Sequence, residues 1–273
     1  MRMSFFWGDT PMAYARFHTL ASFRKHNPEW EMVLYTAPYV SGSAWDTTER
    51  QDFDSYEGED WREHLDELDV RVIQWDPPVA ATPNQQADIC RWQVLAEGGM
   101  FADMDIAFFR PMTSLHTDAL MSGSAFTCVD GVLSLGLTGS AGTKLCTDAY
   151  HHSILMSARG DYQCAGVDVL YDMALGDKAW ATVGHPDWNY IHSHDTLAAL
   201  DATYGGVVNI PKSWVHPAHF AFPFKNVTMP PDSIGVHWYA GAPAAREVID
   251  NWTPGSTPPG ILGEAVCRSR SGR

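Results

Sequence analysis

The sequence predicts an α/β fold in which helices flank a mostly parallel sheet. Short apolar segments alternate with helical patterns through the first hundred residues, which is the arrangement expected of parallel strands joined by helices. Glycine or proline follows each of these apolar segments within a few residues, as at the ends of strands. The 273 residues are 45% apolar, which is enough for the core of one domain.

The first half contains strands and helices in clear alternation. Helix 82–98 has the sharpest limits: Thr82 is placed to cap it, Pro83 occupies its first position, and Gly98 and Gly99 end it. The other predicted helix is Met12–His26, and the predicted strands are Met3–Trp7, Glu31–Thr36, Val70–Trp75, Met100–Ala102 and Ile106–Phe109.

The second half is less regular. Phe126–Leu137 is predicted as a strand or a hairpin, and the remaining predicted elements are the helices Thr143–Ser157 and Val167–Leu175 and the strands Val207–Ile210 and Ile234–Trp238. We expect one catalytic domain over residues 1–250, divided into a ligand-binding half, 1–112, and a completing half, 113–250. The segment 251–273 is rich in Pro, Gly, Ser and Arg, which predicts a flexible tail.

Charge and cysteine content limit the possible partners and location. The chain carries 18 basic and 33 acidic residues, a formal charge of -15, so a bare phosphate backbone is disfavoured as the main partner. The five cysteines are scattered without a Cys-x-x-Cys pair, which suits a reducing compartment. No segment reaches the roughly 20 apolar residues of a membrane helix. We therefore expect a cytoplasmic protein without a membrane span.

The acidic triplet Asp103-Met104-Asp105 is the principal chemical feature. It lies between the apolar segments 98–102 and 106–109, where two charged side chains are costly unless they are paired or bind a metal. Side chains alternate in direction along a strand, so one carboxylate can face a metal while the other reaches a ribose or a metal-bound water. A hard divalent cation prefers such oxygen ligands and keeps positions open for substrate phosphates.

Asp88 and Arg91 form a second feature, on helix 82–98. They are three positions apart and therefore share one face of the helix. An exposed ion pair of little energetic value is the alternative interpretation. Because Gly98-Gly99 and the acidic triplet follow directly, we favour a functional pair.

The segment Ala87–Asp105 resembles the signature of glycosyltransferase family 32. That family includes capsular-polysaccharide and yeast mannosyl transferases, and large clostridial glucosylating toxins share the signature. Five further segments are similar to other family motifs: Phe5–Gly8, Ser22–Pro28, Val33–Thr36, Cys164–Asp168 and His237–Gly241. The resemblance covers the first 112 residues well and the remainder at two short motifs. It implies a GT-A fold and transfer of a sugar from a UDP- or GDP-sugar to an acceptor hydroxyl.

The resemblance also implies a role for each site residue. Asp105 would hold Mn²⁺ or Mg²⁺ with His237 as a further ligand, and Asp103 would bridge the ribose and a metal-bound water. Trp7 would stack on the nucleobase, while Asp88 and Arg91 would bind hydroxyls of the donor sugar. The acceptor is expected to be a glycan, a lipid-linked sugar or another hydroxyl compound. A modified nucleic-acid base is disfavoured by the acidic composition.

Retention of the anomeric configuration is implied in the same way. A retaining enzyme can let the departing diphosphate accept the proton of the acceptor, whereas an inverting enzyme needs a carboxylate base on the acceptor side. Asp168, which follows Gly166, is the first choice for a polar group near the anomeric carbon. Asp130 and Asp168 are the candidates for a general base if the reaction inverts.

Three other interpretations fit part of the sequence. A haloacid-dehalogenase-like phosphohydrolase also uses Asp-x-Asp after a strand, but it usually carries Thr or Val where this chain has Ala107. A non-catalytic carbohydrate- or nucleotide-binding module explains the aromatic residues but not two charges in an apolar segment. His216 and His219 could belong to a second metal site, but without helical spacing they are better interpreted as loop histidines.

Overall fold

The computed structural model describes residues 1–38, 56–129, 132–159, 163–176, 188–217, 228–241 and 245–271, without the side chains of 188–194. Asp130 and His219 lie outside the described residues.

A seven-stranded sheet forms the centre of the molecule, with the strand order β3-β2-β1-β4-β7-β6-β8. Strand β7 is antiparallel to its neighbours β4 and β6, and the other neighbouring pairs are parallel. Strands β5 and β9 form a separate antiparallel pair. The strands are β1 (Arg2–Gly8), β2 (Glu31–Ala37), β3 (Val70–Gln74), β4 (Gly99–Ala102), β5 (Ile106–Phe108), β6 (Ser124–Val129), β7 (Val132–Ser140), β8 (Val207–Ile210) and β9 (Gly235–His237).

Helices surround this sheet. Within the described residues, the α-helices are α1 (Tyr14–His26), α2 (Pro83–Ala96), α3 (Ser114–Met121), α4 (Lys144–Met156), α5 (Val167–Leu175), α6 (Trp188–Tyr204), α7 (Ala245–Asn251) and α8 (Gly260–Ser271). A 3-10 helix at Trp61–Leu68 precedes β3. None of the helices in the described ranges has the length and apolar character needed to cross a bilayer.

Strand β1 shows why the sheet is covered on both faces. Phe5 packs in one core cluster with Phe23 of α1, whereas Phe6 packs in another with Ile89 of α2. Successive side chains of a strand point to opposite faces, so a strand with apolar residues at consecutive positions must be buried on both sides. The predicted α/β class, with a mostly parallel sheet between helices, is confirmed.

Local sequence signals fix the limits of α2. The Thr82 hydroxyl accepts a hydrogen bond from the backbone N–H of Gln85, and Oε1 of Gln85 accepts one from the backbone N–H of Thr82. This capping box satisfies two N–H groups that the first turn would otherwise leave unpaired. Gly98, just past the helix, has a positive φ of 82°, which a glycine adopts without strain.

The end of the chain differs from the prediction of a flexible tail. Residues 260–271 form helix α8, and its apolar side chains Ile261, Leu262, Ala265 and Val266 are buried. Leu262 and Val266 pack in one cluster with Ala15 of α1. The tail prediction is corrected for this segment, because the composition is polar while the spacing of the apolar residues gives the helix one continuous apolar face.

Candidate functional site

The predicted site residues meet at the carboxyl ends of the parallel strands. Trp7 lies near the end of β1, and Asp103 and Asp105 lie in the short connection between β4 and β5. A cavity of about 610 Å³ opens here, between these strand ends and residues of α2, β7 and β9. Its wall includes Trp7, Asp88, Arg91, Asp103, Asp105, Ser134, Gly136, Gln163, His237 and Tyr239. Ligands of open α/β sheets bind at this edge.

Asp103, Asp105 and His237 form a group that can hold a metal ion. One ligand atom from each residue lies within 4.8 Å of the others. Pairing of Ile106 with His237 in the β5–β9 sheet places His237 beside the acidic triplet. The backbone N–H of Asp103 donates to the Gly136 carbonyl at 2.8 Å, which attaches the triplet to β7.

The Asp105–His237 pair has the character of a ligand pair. His237 Nε2 lies 2.8 Å from Asp105 Oδ1 and 3.7 Å from Asp103 Oδ2. His237 Nε2 and Asp105 Oδ1 are buried, and neither is aligned for a hydrogen bond with any described residue. Oδ2 of Asp105 accepts from the backbone N–H of Ala240 at 2.8 Å, so Oδ1 is the oxygen left to face His237. Buried polar atoms without an aligned hydrogen bond are uncommon, and a shared cation would bind both atoms of this ion pair.

The charges of this pair support each other. Burial alone would lower the pKa of His237, but the negative charges of Asp105 and Asp103 and the close contacts with both carboxylates together outweigh it and raise the pKa to about 9. Burial likewise opposes ionisation of Asp105, yet the charge and close contact of His237, the charge of Arg16 and the hydrogen bond from Ala240 together hold the pKa of that carboxyl well below its usual range. In the absence of a cation the pair is therefore ionised, and a divalent cation would take the place of the His237 proton.

Arg91 links the second predicted feature to the first. Its guanidinium donates hydrogen bonds to the carboxylates of both Asp88 and Asp103. The Arg91 side chain is only 4% exposed, so the pair is buried rather than an exposed helical ion pair. Burial raises the pKa of Asp88 to about 6, the charge of Arg91 opposing the rise and that of Asp103 adding to it.

Asp88 also explains the glycine at position 166. A Cβ at Gly166 would lie 2.5 Å from Asp88 Oδ2, so a side chain there would displace the carboxylate. The segment Gln163–Gly166 therefore approaches α2 closely just before α5 begins. Gln163 and Val167 from this region line the cavity.

The other predicted site residues are Trp7, Asp168 and Asp130. Trp7 lines the cavity but is only 3% exposed; its indole N–H donates to the Thr10 carbonyl at 3.0 Å. The guanidinium of Arg16 lies 5.3 Å from the Trp7 ring. Asp168 is buried in the first turn of α5, close enough for its charge to raise the pKa of Asp88. Asp130 lies outside the described residues, and the roles of all these residues remain predictions.

His216 is a member of the site that the sequence interpretation left out. It is 2% exposed, and its ring centre lies 4.9 Å from that of His237. Its two ring nitrogens contact the hydroxyls of Ser134 and Tyr239. The pair His216 and His219 was a sequence signal, but it was interpreted as loop histidines, whereas Ser134 stands in a segment without any motif. Tyr239 lies two positions after His237, which was the available signal for that residue.

Comparison with solved structures gives distant likenesses. The PaToxG glycosyltransferase matches over 74% of this chain and 76% of its own, with 16% identity and a TM-score of 0.44. The galactosyltransferase LgtC matches over 99% and 96%, with 16% identity and a TM-score of 0.45. The glycosyltransferase GlyE of Streptococcus pneumoniae TIGR4 matches over 98% of this chain but 60% of its own, with 12% identity and a TM-score of 0.49. No family model and no curated protein matches the sequence. Because these TM-scores are below 0.5, the function has to be argued from the site itself.

Proposed function

We propose that the protein is a metal-dependent glycosyltransferase, which moves a sugar from a nucleoside-diphosphate donor to an acceptor hydroxyl with retention of configuration. One observation carries the proposal. Two carboxylates and an imidazole converge within 4.8 Å at the wall of a cavity of about 610 Å³, and that cavity lies at the ligand-binding edge of the sheet. The family 32 resemblance of the segment Ala87–Asp105 adds to it.

The donor set suits the expected cation. Carboxylate oxygens are preferred by Mg²⁺ and Mn²⁺, and a histidine nitrogen favours the transition metal. Asp103, Asp105 and His237 are the residues that would hold the ion. A cation bound there would offset the charge that develops on the leaving diphosphate. The unaligned, buried Oδ1 of Asp105 and Nε2 of His237 fit such a ligand.

The other side chains can bind and orient the donor. Arg91 holds Asp88 and Asp103 in fixed positions on the cavity wall, so their remaining oxygens can accept hydrogen bonds from hydroxyls of the sugar and the ribose. A preorganised polar wall of this kind needs little rearrangement during the reaction. Trp7 is proposed to contact the nucleobase, and Asp168 to support the sugar near its anomeric carbon.

The ion pair of Asp103 disfavours the phosphohydrolase interpretation. In that class the first carboxylate of Asp-x-Asp attacks phosphorus, and it must be free to do so. Here Asp103 is paired with the buried guanidinium of Arg91, which lowers its nucleophilicity. The binding-module interpretation leaves unexplained why two carboxylates and an imidazole converge within 4.8 Å of one another.

Release of nucleoside diphosphate from a panel of UDP- and GDP-sugars tests the proposal. We expect release with one or a few donors, loss of release with EDTA, and recovery with Mn²⁺. Asp105→Ala should lower the rate of release by several orders of magnitude. The control is Asp172→Ala, whose carboxylate contacts His152 and does not line the cavity. Metal-independent release, or release of inorganic phosphate from phosphomonoesters, would overturn the proposal.

Proton NMR of the first-formed product tests retention. An α-linked donor should yield an α-linked product. A β-linked product would refute retention and would make Asp130 or Asp168 a candidate general base.

We propose a glycan or a lipid-linked sugar as acceptor and the cytoplasm as the place of action. The formal charge of -15 makes a nucleic-acid acceptor the less favoured choice.

A further inference from the structure

Arg16 is a buried cation on the wall of the cavity. It lies in the first turn of α1, lines the cavity and is only 6% exposed. A guanidinium keeps its positive charge throughout the pH range in which proteins are folded, and a buried charge is costly unless its surroundings or a ligand offset it. The burial of this charge at the edge of a ligand cavity therefore favours an anionic ligand.

Two tryptophan rings hold the guanidinium of Arg16. Its Cζ atom lies 5.3 Å from the centre of the Trp7 ring and 5.4 Å from that of Trp238, and both rings are buried. Such contacts engage the face of a guanidinium, whereas its five N–H donors point outward in its plane. Arg16 can therefore keep a partner within the protein and still donate hydrogen bonds to a ligand.

Arg16 lies close to both the proposed base site and the proposed metal ligands. Trp7 belongs to the base site. Trp238 follows His237 directly, and its backbone N–H donates to the Asp105 carbonyl at 2.9 Å. The charge of Arg16 also reaches Asp105, where it helps to lower the pKa of the carboxyl. In a nucleoside-diphosphate sugar the diphosphate joins the nucleoside to the sugar, so a donor with its base at Trp7 would bring its phosphates close to Arg16.

The charges of the cavity wall favour Arg16 as the residue that binds phosphate. Arg16 and Arg91 are the permanently charged cations among the described residues that line the cavity. Arg91 is shared by the carboxylates of Asp88 and Asp103, and it therefore belongs to the wall that is proposed to bind the sugar and the ribose. These carboxylates would repel the negative charges of a diphosphate unless cations offset them. Arg16 supplies a positive charge beside Trp7, in addition to that of a bound metal ion.

We propose that Arg16 binds the diphosphate group of the donor, because the planar N–H groups of its guanidinium suit phosphate oxygens. The identity of this ligand rests on the proposed function, whereas the cationic site does not. During transfer, the bond between the anomeric carbon and the diphosphate breaks, and its electron pair stays on the diphosphate oxygen. The acceptor oxygen bonds to the anomeric carbon, and its proton passes to the diphosphate. Arg16 offsets the negative charge that builds up on the diphosphate as the first bond breaks.

Calorimetry with ligands that do and do not carry phosphates tests this assignment without any assay of activity. The probes are UDP, GDP, uridine, guanosine and inorganic pyrophosphate, each with saturating Mn²⁺. Arg16→Met removes the charge but keeps a long apolar side chain against the two tryptophans. It should weaken the binding of pyrophosphate and of the nucleoside diphosphates about 10- to 100-fold, as the loss of a hydrogen bond to a charged group would. The affinity for the nucleosides should not change.

Two further variants separate phosphate binding from a purely structural role. Arg16→Lys retains the charge without the planar array of donors, so its diphosphate affinity should fall only about three- to tenfold. This variant also decides the question if Arg16→Met does not fold. Arg268→Met is the matched control, because Arg268 lies 5.9 Å from the Phe109 ring but does not line the cavity, and its affinities should equal those of the unaltered protein. The Mn²⁺ affinity of Arg16→Met, measured without nucleotide, should be equal or higher, since a positive charge near Asp105 is removed.

Three results would overturn the proposal. One is a diphosphate affinity in Arg16→Met, or in Arg16→Lys if only that variant folds, equal to that of the unaltered protein. Another is an equal loss of affinity for nucleoside and nucleoside diphosphate, or a lowered Mn²⁺ affinity, since either would show that Arg16 supports the base site or the metal ligands instead. The third is an unaltered protein that binds none of the phosphate-bearing probes. If no sugar nucleotide releases its diphosphate, the proposed function fails, whereas the pyrophosphate result still decides the role of Arg16.

Discussion

Asp88 is a carboxylate whose buried environment opposes its negative charge. Asp88→Asn tests how much that charge lowers the free energy of unfolding. Its side chain is 13% exposed, and burial raises its pKa from 3.8 to about 6 even with Arg91 beside it. At 1.36 kcal/mol for each tenfold change in proton affinity, this rise corresponds to about 3 kcal/mol. The ionised carboxylate therefore lowers the free energy of unfolding by about that amount, as an upper bound.

The effect has a defined pH window. Below pH 3.8 Asp88 is protonated in the folded and the unfolded protein, and it contributes nothing. Between 3.8 and about 6 the unfolded chain releases the proton while the folded protein retains it, so stability falls as the pH rises. Above pH 6 the full cost is present. Asp88→Asn removes the charge but leaves an oxygen to accept from Arg91, so it should gain up to about 3 kcal/mol at pH 7.5 and little at pH 4.

Urea unfolding at pH 4, 5, 6 and 7.5 in EDTA measures this difference. The control is Asp172→Asn, which replaces a partly exposed carboxylate in contact with His152 and should give no gain. Asp88→Asn should also lose turnover, because Asp88 is proposed to bind hydroxyls of the donor sugar. A gain in stability together with a loss of activity is the trade-off expected at a functional site. A destabilised Asp88→Asn protein at pH 7.5, or a gain that does not depend on pH, would refute the reasoning.

Three further predictions concern other parts of the molecule. Mn²⁺ binding, measured by calorimetry, should be lost in Asp105→Ala and His237→Ala, since each removes a ligand atom of the three-residue group. Trp7→Leu should weaken binding of free nucleoside diphosphate by about 1–3 kcal/mol if the ring stacks on the base, whereas Trp7→Phe should retain most of the affinity. Thr82→Ala should lower the free energy of unfolding by about 1 kcal/mol, because it removes the cap of α2.

Each of these has an outcome that contradicts it. Unchanged Mn²⁺ affinity in Asp105→Ala would remove the metal assignment. Equal nucleotide affinity in Trp7→Leu and the unaltered protein would remove Trp7 from the base site. For Thr82→Ala, the matched comparison is Thr143→Ala, which removes the cap of α4 and should lower the free energy of unfolding by a similar amount. If neither variant lowers the free energy of unfolding, capping contributes little here.

The sequence was sufficient where the determining interactions are local. Thr82, Pro83 and Gly98 predicted the limits of α2 because caps and positive φ angles depend on neighbouring residues. The triplet Asp103–Asp105 was recognisable for a related reason, since two charges in an apolar segment require a partner whatever the fold. Asp88 and Arg91 were predicted to share a helix face, and they do, but only the structure shows that Arg91 also reaches Asp103.

Sequence reasoning failed where tertiary packing decides. Ser134, His216 and Tyr239 lie on separate segments, and only the folded chain brings their side chains together. Helix α8 is a different case, because its signal was present: Ile261, Leu262 and Ala265 have helical spacing within a Gly- and Ser-rich composition. Composition alone predicted a loose tail, and the apolar face that packs against α1 outweighs the low helix propensity of those residues.

The small β5–β9 sheet unites the halves of the site. Asp105 and Ala240 are 135 positions apart, yet the carbonyl and Oδ2 of Asp105 bind the backbone N–H groups that follow His237. A single aspartate thus uses two of its oxygens to hold the segment that carries His237, and a third oxygen faces the His237 ring. Asp105→Ala would therefore remove a ligand and also one of the two hydrogen bonds that hold the segment supplying another. For this reason Asp105→Asn, which keeps an oxygen for Ala240, separates the two roles better than Asp105→Ala does.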